Sequence, residues 1–224
     1  EADGVIVEPY SSEADVILPT ESAKPVVLVG TGIETDRLFT SVMTDHGKLG
    51  KSLADAVIQG KAVKVGILSG NQSQLGMRQR LKSVKDKLEE AGIEISWILS
   101  EKELDKKMRN VEYFAEQPVD TVISLDNDDT EKAVDIILND DRISWKLYGE
   151  GRSEKLIYYL DKGTIQELAV PNEYYMGYQS IVLAAQNIRY YTDKTEQAEV
   201  EFYMVSKDNL YDEETSRILF PAVR

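Results

Sequence analysis

Three stretches of the chain bring multidentate or reactive side chains to places where a turn would present them. Thr121–Thr130 reads TVISLDNDDT, an apolar run that ends in Asp126 with Asp128 two residues on and Thr130 beyond. Carboxylates there could accept hydroxyl hydrogen bonds. Asp126 equally suits the cap of the next helix, a position for which Asp128, Asp129 and Thr130 compete. The second stretch is Arg78-Gln79-Arg80, after a polar loop. A guanidinium there offers a planar fork for hydroxyls or a carboxylate, and the plain alternative is a solvated arginine on a helix face. The third is Tyr148-Gly149-Glu150-Gly151, which places Glu150 just after an apolar strand, as a ligand contact or as a solvated loop acid.

Other chemistries find less support. The single histidine, His46, lies beside a helix cap, and cysteine is absent, which excludes disulfides, thiolate metal sites and cysteine nucleophiles. No Gly-x-Ser-x-Gly elbow occurs, and Ser69–Gly76 lacks the Gly-Lys-Ser ending of a phosphate loop. One histidine and scattered carboxylates do not specify a metal, so neither metal nor cofactor is expected. Trp97 lies within a strand and Trp145 begins one, so both read first as packing residues.

The elements that must position these groups alternate. Apolar β-branched runs at Gly4–Glu8 and Pro25–Gly30 read as buried parallel strands, with a weak helix over Ser11–Leu18 between them and a loop over Thr31–Thr44. Asp45 caps a helix from about His46 to Ile58 that Gly60 ends. The strand Val63–Gly70 follows, then a long helix burying Met77, Leu81, Val84, Leu88 and Ala91 at a spacing of four, three, four and three. Strands are expected at Ile93–Leu99, Val119–Leu125, Trp145–Tyr148, Ile165–Val170 and Val200–Val205. Helices are expected at Leu104–Glu116, Thr130–Leu138, Ser153–Leu160 and Glu173–Ile188, with an irregular tail at the end. Such alternation is the pattern of parallel βαβ units covered on both faces, an α/β fold.

With 224 residues and 42% hydrophobic content the chain can bury a full core, as one large domain or two small lobes. Its 26 basic residues against 40 acidic ones leave a net charge of -14, which repels phosphate backbones and anionic lipid heads. Direct contact with nucleic acid is therefore not expected.

Several segments resemble, in order and spacing, the type I periplasmic binding proteins and the sugar-sensing domain of lactose-repressor-type regulators. DGVIVEP at Asp3–Pro9 and KPVVLVGT at Lys24–Thr31 are similar to two of that family's strands. DHGKLG at Asp45–Gly50 resembles its Asp-Asn-x-x-x-Gly start of a linking helix, and ILSGNQSQLGMRQRLKSVKDKL at Ile67–Leu88 resembles its strand, Gly-containing loop and Arg-x-Arg helix. PNEYYMGYQSIVLA at Pro171–Ala184 is similar to its Gln-Asn-Pro-x-x-Met-Gly helix start. The family begins with two further strand-helix units before the strand at Gly4, so the resemblance implies an incomplete first lobe.

That resemblance implies a two-lobed fold, each lobe a parallel sheet flanked by helices. The first lobe would comprise residues 1–43 and 172–201, the second residues 44–171 and 202–224. Ligand would bind between them, with Arg80 turned into the cleft, Asp126 and Glu150 as hydroxyl acceptors and Thr31 as a further contact. Gly30 and Thr31 stand where sugar-binding relatives carry an Asp-Arg pair, and Pro171 replaces a Gln, so part of the usual hydroxyl-binding set is gone. Tyr174, Tyr175 and Tyr178 could reach the cleft, their sidedness left open.

The function implied is non-enzymatic: a bacterial, extracytoplasmic solute-binding domain that closes on a small polar ligand, a sugar by expectation. A membrane permease or receptor would be its partner, and a second copy could pair across the incomplete lobe. Two alternatives remain. One is the effector domain of a lactose-repressor-type regulator, which would be cytoplasmic. The other is a haloacid-dehalogenase-like phosphatase, whose Asp-x-Asp-x-Thr motif Asp126–Thr130 resembles, although no downstream Gly-Asp-x-x-x-Asp string accompanies it.

Overall fold

A computed structural model describes residues 2–13, 24–36, 38–108, 112–190 and 195–220. The helix expected over Ser11–Leu18 falls mostly outside these residues. Two sheets organise the described chain. The smaller has the order β1 (Val5–Val7), β2 (Val26–Gly30), β3 (Thr40–Met43), β9 (Gln197–Glu199), all parallel. The larger has the order β10 (Phe202–Ser206), β8 (Ile165–Pro171), β7 (Lys146–Glu150), β6 (Thr121–Ser124), β4 (Lys64–Leu68), β5 (Glu94–Leu99). Its strands are parallel, as expected, with β10 added antiparallel to β8 at one edge.

Both faces of the larger sheet are covered, which is why its strands are apolar almost throughout. Val122 and Ile123 are adjacent in β6 and point to opposite cores. On one face, α1 (His46–Gln59) and α2 (Leu75–Glu90) bury Leu49, Leu53, Val57, Val84 and Leu88 against Val65, Ile67 and Ile123. On the other lie α3 (Glu101–Lys107), α4 (Glu112–Glu116), α5 (Asn127–Asn139), α6 (Glu154–Lys162) and, last in the chain, α8 (Glu213–Leu219). Trp97 and Trp145 pack there with Phe114, ring centroids 5.3–6.0 Å apart, so both tryptophans are core residues as expected. In the smaller sheet α7 (Glu173–Tyr190) lays Met176, Leu183 and Ala184 on Val27 and Val42.

Several expectations need correction. The loop expected over Thr31–Thr44 contains β3, a four-residue strand too short and polar to declare itself. The single helix expected over Leu104–Glu116 is two, α3 and α4. The strand expected at Trp145–Tyr148 lies slightly later, so Glu150 is its last residue rather than a loop acid. The final stretch forms α8 before its undescribed end.

Two glycines let α1 and α2 nearly touch. A Cβ at Gly50 would lie 2.5 Å from the Arg80 carbonyl oxygen, and one at Gly76 would lie 2.5 Å from the His46 Nε2. Side chains of almost any size would force these helices apart. Three chain crossings join the sheets side by side: the Val200 N–H donates to the Met43 carbonyl at 2.9 Å and the Asn172 N–H to the Glu201 carbonyl at 3.1 Å.

Candidate ligand-binding cleft

The carboxyl ends of β2, β3, β4, β6, β7 and β8 surround a cavity of about 640 Å³ between the two sheets. Brought there are Gly30 and Thr31 after β2, Thr44 after β3, Asn71 after β4, Asp126 after β6, Glu150 at the end of β7 and Pro171 at the end of β8. Open α/β sheets collect ligand-binding groups at these strand ends, because each loop leaving a strand begins there. Arg80, Asp126, Glu150 and Thr31, the four expected site residues, all line the cavity.

Arg80 reaches it from α2 and is only 5% exposed. Its Nε donates to the His46 Nδ1 at 3.1 Å, its Nη1 donates to the Leu125 carbonyl, and Nη1 lies 3.3 Å from the Glu150 Oε2. Arg78 sits on the outer side, where its Nη2 pairs with Glu34 at 2.7 Å. Burial pushes the Glu150 carboxyl up to about 7, with the Arg80 charge opposing that rise and Asp126 and Glu173 adding to it. The sequence allowed Glu150 a solvated role, and the structure buries it.

Asp126 caps α5, its Oδ1 accepting the Asp129 N–H at 2.8 Å. Asp128 and Asp129 do not take that place, so the cap and the cavity lining are the same residue. Its second oxygen lies against Gly70, where a Cβ would stand 2.3 Å away. Gly70 has φ 65°, the left-handed region, and its N–H donates to the Asp129 Oδ2 at 3.2 Å. Burial, then the neighbouring Asp126, raises the Asp129 carboxyl to about 7.

Thr31 plays a part that the resemblance did not convey. Its Oγ1 accepts the Gly76 N–H at 2.9 Å, joining the end of β2 to the first turn of α2. His46 makes a parallel link. Its Nε2 lies 2.8 Å from the Gly30 carbonyl oxygen, which can only accept, while Nδ1 accepts from Arg80. The ring is therefore neutral with its proton on Nε2, in keeping with burial and the Arg80 charge lowering its pKa to about 4.

Sequence reasoning missed Glu8, Thr44 and His46 as lining residues. Glu8 stands next to last in the DGVIVEP segment, beside Gly30, and its carboxyl is raised by burial and by Glu173. Thr44 is 1% exposed, and its hydroxyl has no hydrogen-bond partner among the described residues. Tyr174, Tyr175 and Tyr178 are exposed and do not line the cavity.

Along the cavity rim, hydrogen bonds run directly between residues attached to the two sheets. The Ser12 N–H donates to the Ser73 carbonyl at 2.8 Å, Asn71 Nδ2 to the Tyr10 carbonyl at 3.2 Å and Gln74 Nε2 to the Pro9 carbonyl at 3.3 Å. The Arg78–Glu34 pair adds a further link between the two sheets.

The fold is that of solved sugar-binding proteins. One is a carbohydrate transporter solute-binding protein from Agrobacterium radiobacter in complex with D-arabinose, with a TM-score of 0.83 and 16% identity over 97% of this chain and 78% of that one. GanP, a glucose-galactose binding protein from Geobacillus stearothermophilus, gives a TM-score of 0.82 and 21% identity over 94% of this chain and 79% of its own. The Caulobacter myo-inositol binding protein, bound to myo-inositol, gives 0.80 and 19% over 97% and 77%. A comparison with curated proteins finds no significant match. A family model described as periplasmic binding protein domain matches residues 1–191, and with the two-sheet architecture and its interposed cavity this chain belongs to that family.

Proposed function

We propose that the chain is a solute-binding domain that closes on a small polyhydroxylated ligand, a sugar or cyclitol, and presents it to a membrane permease or sensor outside the cytoplasm. The observation that carries this reading is the cavity at the strand ends, with a buried arginine fork facing hydroxyl and carboxylate groups. Its size lies within the usual range for small-molecule sites. The Arg80 Nη2 enters none of the hydrogen bonds of the described residues and remains as a donor, while Asp126 and Glu150 can accept. The bound ligands of the arabinose and myo-inositol proteins support a polyhydroxylated class.

In this reading residues 1–43 and 172–201 form one lobe and residues 44–171 and 202–224 the other. The crossings at Met43–Thr44, Pro171–Asn172 and Glu201–Phe202 act as the hinge. The hydrogen bonds that hold these crossings together support the assignment. Among the described residues no helix is long and apolar enough to cross a membrane.

Thermal-shift measurements with a panel of pentoses, hexoses, amino sugars and cyclitols test the reading. At least one should raise the melting temperature, and Arg80→Met should diminish the shift. No shift from any of them overturns it. Magnesium-dependent phosphatase turnover that Asp126→Asn abolishes would move the chain to the enzyme class.

A further inference from the structure

Helix α2 carries Arg80, and its own residues do not finish its first turn. The N–H groups of that turn have no partner within the helix and need a cap. Gln74 stands at the N-cap position with φ -81° and ψ 137°, and its side chain makes no cap hydrogen bond. Its Nε2 reaches instead to the Pro9 carbonyl at 3.3 Å. The cap comes from the other sheet: the Gly76 N–H donates to the Thr31 Oγ1 at 2.9 Å, and Thr31 is only 4% exposed. Arg78, in the same turn, pairs with Glu34 at 2.7 Å. Gln74, Gly76 and Arg78 are thus each bonded to a segment that leaves β1 or β2.

Gly76 and Arg80 lie four residues apart, so they share one face of α2, and both are buried. His46 touches each of them. A Cβ on Gly76 would lie 2.5 Å from its Nε2, and its Nδ1 accepts from the Arg80 Nε at 3.1 Å. The same ring bonds through Nε2 to the carbonyl of Gly30, the residue before Thr31. Gly30 and Thr31 therefore hold the start of α2 twice, once at a helix amide and once through the ring that seats the arginine. Parting the sheets exposes the Gly76 N–H to water and leaves the helix uncapped. Bringing them together restores the bond in a buried setting, where an unpaired amide is costly.

We infer that Thr31 is a positioning residue that couples closure of the cleft to Arg80. It caps α2 from the opposite lobe, so the helix start, and with it the seat of the arginine, is complete only when the lobes meet. The inference rests on the two-lobed solute-binding reading and adds to it how the site is regulated. The hydroxyl does this and the methyl does not, so serine can stand in for Thr31 and valine, of the same shape, cannot. Loss of one N-cap is worth about a fivefold change in an equilibrium constant. That change falls on the closed form alone, because water satisfies the amide when the cleft is open.

Spin labels report closure directly, since the sequence has no native cysteine. Glu13→Cys and Lys102→Cys place labels at exposed residues beside Ser12 and Glu101, on opposite sides of the rim. Electron–electron double resonance reads their separation without ligand and with D-arabinose or myo-inositol in excess. Amide exchange at Gly76, followed by NMR, reads the cap. The wild-type chain should show a short-distance population that grows as Gly76 exchange slows. Thr31→Val should lower the ratio of short to long distances about fivefold and speed Gly76 exchange by a similar factor. Amides in α1 such as Val57 should exchange as before, melting should stay cooperative, and Thr31→Ser should restore both readings. Unchanged distances in Thr31→Val overturn the inference and leave the solute-binding reading standing, whether Gly76 exchange stays the same or rises, since a cap that serves the fold alone would raise it. A long distance under every condition overturns both. Distances that follow Thr31 but respond to no sugar of the thermal-shift panel support the inference and overturn the sugar reading alone.

Discussion

Arg80 serves three partners at once, and its loss should be felt first as an electrostatic fault. Arg80→Met leaves Glu150 buried without its counter-ion, a change that costs about 3–5 kcal/mol when a buried pair is broken. Adding Glu150→Gln should recover most of that loss, and a double-mutant cycle in urea measures the coupling. The pH response follows from the same residues. Glu150 and Asp129 have carboxyls raised to about 7, so between pH 4.5 and 7 the folded state holds protons that the unfolded chain has released. Their contribution is complete below the unfolded values and is lost as pH rises through about 7. His46, lowered to about 4, has the opposite sign: its contribution is present above about 6.5 and is lost as pH falls through about 4. Above pH 6.5 only the carboxylate effect remains, so the melting temperature should fall from pH 6.5 to pH 8, and Glu150→Gln should flatten that slope. Asp126 and Glu150 were legible as site candidates because each stands at the end of an apolar strand, and Arg80 because its Arg-x-Arg helix resembles the family's. Thr44 and His46 were not, since an isolated threonine and a lone histidine carry no local signal, and the contacts of His46 lie 16 and 34 residues away.

Between elements, the tight seam is that of α1 and α2. Gly50→Ala would drive a methyl group onto the Arg80 backbone, which cannot rotate away, and should cost about 1–3 kcal/mol by denaturant unfolding with an unchanged slope. Gly76→Ala meets a ring instead and should also weaken ligand binding, because the displaced His46 is the acceptor that orients Arg80. The strongly periodic helices and the central strands were readable from the sequence, since each buries a continuous apolar stripe. β3 was not, because its Thr40-Ser41-Val42-Met43 run takes its stability from pairing with β2 and β9 rather than from composition. The reversed direction of β10 is likewise a matter of its pairing with β8.

Across the whole molecule, the closure proposed for the two lobes makes the balance between open and closed cleft depend on the rim contacts. Arg78–Glu34 is a partly exposed pair and contributes about 0.2–1 kcal/mol, so Arg78→Ala should shift that balance only modestly toward the open form. Small-angle scattering should then show a slightly larger radius of gyration without ligand, and the wild-type value with saturating ligand. The exchange of chain between the two sheets was expected from family resemblance. Periodicity alone could not supply it, because the alternation of strand and helix is identical in a singly wound sheet.

The links across the cleft have an evolutionary consequence. The Ser12–Ser73 bond joins two backbone atoms, and the bonds from Thr31, His46, Asn71 and Gln74 each end on one. Replacing a side chain leaves a main-chain donor or acceptor in place, so drift in the lining acids can retune what the cleft accepts while the means of shutting it persists. Ligand preference and closure are thereby separately inheritable traits, and a descendant could change its cargo without having to reinvent its motion.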